Sequence, residues 1–216
     1  MIAQRAPTCK IVDTSAKLTA DVLSAIVDAG YAGVVRYVRL PGVADTWDID
    51  ADELTTIVGA GLGLMLVQHV RYPGWNPASY SGKDDAAAAL ERAQAAGYAA
   101  GSHIFLDLEG IKAKATDATI RFANDWADAV VDAGYKAGCY VGYAVPLTAM
   151  QLYELHRVDS YWSDAGRRAV AKRGFAVRQH AEIMIQGVPF DPDDIAPDEK
   201  GETPSWTIGD DGDGIV

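Results

Sequence analysis

The chain has 216 residues, 49% of them hydrophobic and 23% charged, and 30 acidic against 19 basic side chains leave a net charge of −11. That is the balance of an ordinary globular protein, long enough to bury roughly 70% of its unfolded surface without disulfide staples. The acidity argues against nucleic acid as a partner, since phosphate binding needs clustered Lys and Arg, and against a polybasic membrane anchor.

The opening MIAQRAPTCKIVD lacks the apolar stretch of a signal peptide. No run approaches the roughly 20 apolar residues of a membrane span. The expected location is the cytoplasm or, for a phage product, the cell wall reached through a separate pore. Cys9 and Cys139 have no metal-ligand spacing and read as reduced thiols.

The first strand is expected over Cys9–Ser15, and a helix capped by Thr19 over 20–29. A strand over Gly33–Leu40 precedes a helix over 52–60 begun by Asp50 or Asp52. Then come a strand over Leu62–Val70, an Ala-rich helix over Lys83–Ala96 and a strand over Ser102–Glu109. Thr116 or Asp117 caps a helix over 118–133, followed by a strand over Ala137–Tyr143 and a short helix over 147–156. Strands over Asp159–Trp162, Phe175–His180 and Val188–Asp191, with a helix over 164–173, complete the set.

Gly30, Gly61, Gly97 and Gly134, spaced 31, 36 and 37 residues apart, fall where helix ends need a left-handed residue. Each is followed directly by a strand, and the spacing is that of one βα unit. The first five strands are near-continuous apolar runs, as parallel strands buried on both faces require. Eight strands alternating with helices predict a single α/β domain, a (β/α)₈ TIM-like barrel with short helices; a doubly wound open sheet is the competing architecture. Residues 1–9 read as an N-terminal extension, 10–195 as the barrel and 196–216 as an acidic tail. Cys9 and Cys139 then belong to opposite walls.

In such a barrel, functional groups gather at the C-terminal strand ends. Those ends carry Asp13, Arg36 with Tyr37, Gln68 with His69, Asp107 with Glu109, Tyr140 with Tyr143, Trp162, Gln179 with His180, and Asp191. The sharpest pattern is Asp107-Leu108-Glu109: carboxylates two residues apart on a strand share a face. Each raises the other's proton affinity, and one acid beside one carboxylate is the equipment for splitting a glycosidic bond. The plain structural alternative is a capping Asp beside a solvated Glu. Tyr72, Trp75 and Tyr80, in a Pro- and Gly-shaped loop, and Trp47 offer flat faces suited to sugar rings.

Other chemistries are weaker. His69 and His180 with Asp13 or Asp191 lack a zinc motif, so no metal is expected. No G-x-S-x-G elbow, G-x-G-x-x-G run or P-loop is present, so no cofactor is expected. Asp210-Asp211-Gly212-Asp213-Gly214 looks calcium-like but stops short of a full EF-hand loop and reads as a solvated tail.

Val12-Asp13-Thr14-Ser15, Val35-Arg36-Tyr37 and above all GKDDAAAALERAQAAGYAAGSHIFLDLEG, from Gly82 onward, resemble the glycoside-hydrolase-like family first catalogued as domain of unknown function 1906. Gly138 to Tyr143, the Gln179 strand and Asp191 fit in order, so the resemblance spans about residues 10–195. That family is similar to the family 25 lysozymes, barrel enzymes that cut peptidoglycan glycan. The resemblance implies Glu109 as general acid. It implies Asp107 as the group that stabilises the sugar cation or orients an acetamido group, and Asp13 and Asp191 as completing an acidic rim. Arg36, Gln68, Trp75, Tyr140, Tyr143, Trp162 and Gln179 are the expected substrate contacts; Arg178-Gln179 stands where the family commonly has Trp-Gln. The expected function is a lysozyme-like glycosidase acting on cell-wall peptidoglycan, with a phage lysin as one source. The alternatives are a non-catalytic carbohydrate-binding or virion structural module and a metal-dependent hydrolase.

Overall fold

A computed structural model describes residues 1–43, 47–164 and 169–210. Its strands are β1 (Ile2–Arg5), β2 (Cys9–Asp13), β3 (Gly33–Val38), β4 (Gly63–Gln68), β5 (His103–Leu108), β6 (Lys136–Val141), β7 (Val158–Ser163), β8 (Val177–Gln179), β9 (Ile183–Ile185), β10 (Val188–Ile195) and β11 (Ser205–Ile208). The helices are α1 (Ala20–Asp28), α2 (Ala51–Gly59), α3 (Gly82–Ala96), α4 (Thr116–Asp132) and α5 (Ala149–Tyr153).

Strands β2, β3, β4, β5, β6, β7, β8 and β10 pair in a ring, with β4 hydrogen-bonded to both β3 and β5, so the sheet closes as an eight-stranded TIM-like barrel. The pairs from β2 through to β8 are parallel. The last barrel strand departs from the all-parallel expectation: β10 runs antiparallel to both β2 and β8. No helix lies between β8 and β10 to carry the chain back across the barrel. A hairpin does the work, with β9 paired to β10 across Gln186 and Gly187, both at positive φ (50° and 77°).

The four glycines after helices sit at φ between 81° and 88°, the left-handed cap read from the sequence. Thr19, Asp50 and Ser81 cap α1, α2 and α3 through their side chains. Helix α4 begins at Thr116 itself, so neither Thr116 nor Asp117 is the cap, and Ala115 before it supplies no side-chain bond. The helix expected over 164–173 is absent from its described part: residues 169–173 form a loop and turn, and 165–168 lie outside the described residues.

Two apolar cores lie on either side of the strand wall. The outer one packs strand residues such as Val34, Leu64, Leu66 and Ile104 against Leu23, Ile57, Ala89 and Trp126 of the helices. The inner one fills the barrel with Ile11, Val35, Met65, Phe105, Val177 and Ile195. Gly138 makes room there: a Cβ on it would strike the Phe105 ring, with Cγ at 2.9 Å.

The segments expected outside the barrel help to seal it. β1 pairs antiparallel with β11, and β11 joins β4 at Thr207↔Leu64. This places Trp206, 2% exposed, across the floor, where a Cβ on Gly33 would lie 2.7 Å from its ring. Residues 211–216, most of the calcium-like run, lie outside the described residues. Cys9 and Cys139, on opposite strands of the ring, are free thiols.

Candidate active site

Side chains alternate along a strand, so the residue two positions above each inner-core residue also faces the barrel interior. Above Ile11 stands Asp13; above Val35, Tyr37; above Phe105, Asp107; above Val177, Gln179. On the reversed strand the count runs backward, and Asp193 and then Asp191 rise above Ile195. These residues, with Trp162 and Tyr140, build a polar layer on an apolar floor. The pit it forms is about 230 Å³, lined by Tyr37, Asp107, Glu109, Tyr140, Trp162, Gln179 and Asp191 among others.

The same parity corrects two expected substrate contacts. Arg36 and Gln68 are one residue out of step and point away from the pit, into the helix layer. Arg36 is fully buried, its Nε 2.7 Å from Glu53 Oε1, and its guanidinium also donates to the carbonyls of Thr14 and Trp47. Gln68 donates to the Arg39 and Asp85 carbonyls and accepts from Trp126 Nε1 at 2.7 Å. Both hold barrel to helices, and neither lines the pit.

Asp13 is held from two sides: Tyr37 donates its hydroxyl to Oδ1 at 3.1 Å, and Gln179 donates Nε2 to Oδ2 at 2.9 Å. Gln179 in turn accepts from the Tyr140 hydroxyl at 2.9 Å, which fixes its amide orientation. Asp193 accepts from Trp162 Nε1 at 2.6 Å. Burial, then the Asp13 charge, push Asp193 well above the carboxylate range. Burial raises Asp13 itself to about 7.

Asp107 is buried, and its Oδ1 has no hydrogen-bonding partner among the described residues. Desolvation, then Glu109 and Asp13, raise its proton affinity strongly. Glu109 is raised as well, by partial burial and by Asp164 at the end of β7. Asp191 is raised by burial and Glu182.

Glu109 stands at the junction of the pit and a wider groove of about 1100 Å³. Its backbone is braced by the loop after β4: Trp75 Nε1 donates to the Glu109 carbonyl at 2.8 Å, and Gly74 N–H donates to the Gly110 carbonyl at 2.6 Å. Gly110, at φ 61°, returns its own N–H to Tyr143 at 2.9 Å. Trp75 is only 7% exposed, edge-on to Phe122 at 5.4 Å, so it holds the acid in place and leaves the groove open. The Glu109 side chain lies against Gly142, where a Cβ would meet its carboxylate and stand 2.6 Å from its Cβ. Tyr143 is half exposed on the groove wall, whereas Trp162 is buried beneath the pit, edge-on to Tyr140 at 4.7 Å.

The histidines do not gather around Asp13 or Asp191. His69 faces Asp48 at 3.3 Å and lies tilted against the Tyr37 ring, and His180 faces Asp194 at 2.8 Å. Among the described residues no His, Cys, Asp and Glu group is arranged to hold a metal ion. The sequence reading passed over Asp193, Asp164 and Gly142. Period-two spacing from Asp191 points to Asp193; nothing local points to the other two, whose roles come from β6 lying beside β5 and β7 beside β6.

A closed barrel with protonatable carboxyls at one mouth defines the glycoside-hydrolase-like class. The chain belongs to the family described as Rv2525c-like, glycoside hydrolase-like domain, which it matches over residues 24–184, about three quarters of its length. The Tat-secreted protein Rv2525c of Mycobacterium tuberculosis, solved with HEPES bound, superposes with a TM-score of 0.68 at 17% identity, covering 92% of this chain and 99% of that one. The modular autolysin LytC of Streptococcus pneumoniae, solved with a synthetic peptidoglycan ligand, gives 0.57 at 15% identity over 88% of this chain and 47% of its own. The catalytic domain of endolysin ply40 from a Listeria monocytogenes phage gives 0.57 at 14% identity, covering 88% and 94%. No curated protein matches the chain. At these identities the likeness is one of fold. No helix among the described residues is long and apolar enough to cross a membrane.

Proposed function

We propose that the protein is a glycosidase of lysozyme type that cleaves the glycan of bacterial cell-wall peptidoglycan. The observation that carries this reading is Glu109, an acid set between a carboxyl-lined pit and an open groove, its proton affinity raised by burial, with Asp107 two residues before it. Glu109 gives its proton to the bridging oxygen as the C1–O bond breaks. Asp107 and Asp13 stabilise the positive charge on the ring that keeps C1, Asp107 through Oδ1, which no described residue engages. Water then adds at C1 and returns a proton to Glu109. The autolysin of the same fold, solved with a synthetic peptidoglycan ligand, supports the substrate class.

The test is release of reducing ends from purified peptidoglycan. Wild type releases them, and Glu109→Gln lowers the rate by roughly 10²–10⁴, the usual contribution of a general acid. Equal release by both proteins would sink the assignment. No release by either, with glycan still bound, would mark a binding module.

A further inference from the structure

Pit and groove meet at Glu109, and the chemistry of a glycosidic bond gives them different occupants; the argument rests on the glycosidase reading. As C1–O breaks, positive charge grows on the ring that keeps C1 and negative charge on the departing oxygen. The cationic ring is stabilised among carboxyls, and the pit supplies them in a space the size of one ring: Asp107 and Asp191 face the cavity and Asp13 lies behind the Gln179 amide. The departing oxygen needs the Glu109 proton, so the sugar that carries it lies across Glu109 from the pit. That side is the groove.

The groove differs from the pit in size and chemistry. It is about 1100 Å³ against about 230 Å³, room for several sugars against one ring. Besides Glu109 its carboxylates are Asp84, exposed to solvent, and Asp85, buried and engaged by Arg71 through both oxygens, Nη2 to Oδ1 at 2.7 Å. Its rim carries exposed rings: Tyr143 at 50%, Tyr80 at 47% and Tyr72 at 94%. One face of Tyr80 is covered by the Arg71 guanidinium, 3.8 Å from the ring centroid, which stiffens it as a platform. Flat apolar faces with few charges suit the faces of pyranose rings.

We propose that the groove between β3, β4 and β5 binds the leaving-group side of the glycan, the sugars towards its reducing end, while the pit takes the single ring that keeps C1. In a glycan the oxygen leaving C1 belongs to the next sugar towards the reducing end, which fixes the direction of the chain across the mouth.

Binding is measured with Glu109→Gln, which holds substrate without turnover. Peptidoglycan glycan fragments are lengthened one sugar at a time, in one series at the reducing end and in another at the other end. Adding Tyr72→Ala and Tyr143→Ala should cost about tenfold in affinity for fragments extended towards the reducing end, and the loss should grow with each sugar added there. In the active protein the same pair should raise KM at least fivefold while kcat moves less than twofold. A loss independent of length, or one that follows sugars added at the opposite end, overturns the assignment, as does failure of either protein to bind any fragment. If wild type releases no reducing ends but the contrast in binding persists, the groove assignment stands and the glycosidase reading falls.

Discussion

Glu109 owes its place to two neighbours without side-chain chemistry of their own. Gly142 leaves the space its carboxylate occupies, and Gly110 turns the backbone so that Trp75 can reach the carbonyl. Gly142 has no positive φ to protect, but a Cβ there would also stand 2.9 Å from Tyr140 Cε1, so Gly142→Ala should displace Glu109 and lower the melting temperature. Reducing-end release should fall at least about tenfold, since a misplaced acid loses the alignment its reaction needs. The pit carboxyls also carry a pH signature. The folded pKa of Asp13, about 7, lies above its unfolded value near 3.8. Folding therefore favours its protonated form. The stability it contributes is complete below pH ~4 and is lost as pH rises through 7, on the order of 2–4 kcal/mol. Asp50 and Asp159 shift the opposite way, so the comparison must be made with a variant. The melting temperature of Asp13→Asn should fall less between pH 4 and pH 7 than that of wild type; parallel curves would refute the shift. Glu109, raised in the same direction, should make activity decline as pH climbs past its elevated pKa.

At the scale of strands and helices, most of the architecture was legible because glycine and hydrophobic spacing are local signals. The four left-handed caps and the apolar runs of β2 to β6 needed no partner to be read. Two features escaped for physical reasons. The direction of β10 depends on a hairpin rather than on anything in VPFD itself, and the facing of Arg36 depends on which of two adjacent residues follows the inner-core parity. Tyr37, next to Arg36, is the one that reaches the pit. Glu53, which decides the matter for Arg36, lies on α2, 17 residues away. The pair is fully buried, so removing one partner strands a charge. Glu53→Ala should destabilise the fold by about 3–5 kcal/mol, and Arg36→Met with Glu53→Leu together by much less. Chemical denaturation of the three proteins measures the difference. The acidic D-x-E was visible from its spacing alone, whereas Asp164 and Gly142 reach Glu109 only through the packing of β6 beside β5 and of β7 beside β6.

The whole molecule is a barrel with a dry floor and a wet mouth. Trp206 closes the floor, and a Cβ on Gly63 would stand 2.6 Å from its Cε2, so ring and glycine are fitted to each other. Trp206→Ala should cost roughly 3–5 kcal/mol. Because the mouth is built from other strands, the folded fraction should retain its glycan affinity, which titration at a temperature well below the melting point would check. The pairing that carries Trp206 has a further consequence. Ile2 lies opposite Ile208, so the two outermost strands of the described chain run side by side beneath the barrel, one strand spacing apart, at the end away from Glu109. Joining them with a short linker and opening the chain at Gln186-Gly187 would give a circular permutant with the same ring of strands. The order in which the strands are synthesised is therefore separable from the cavity they enclose.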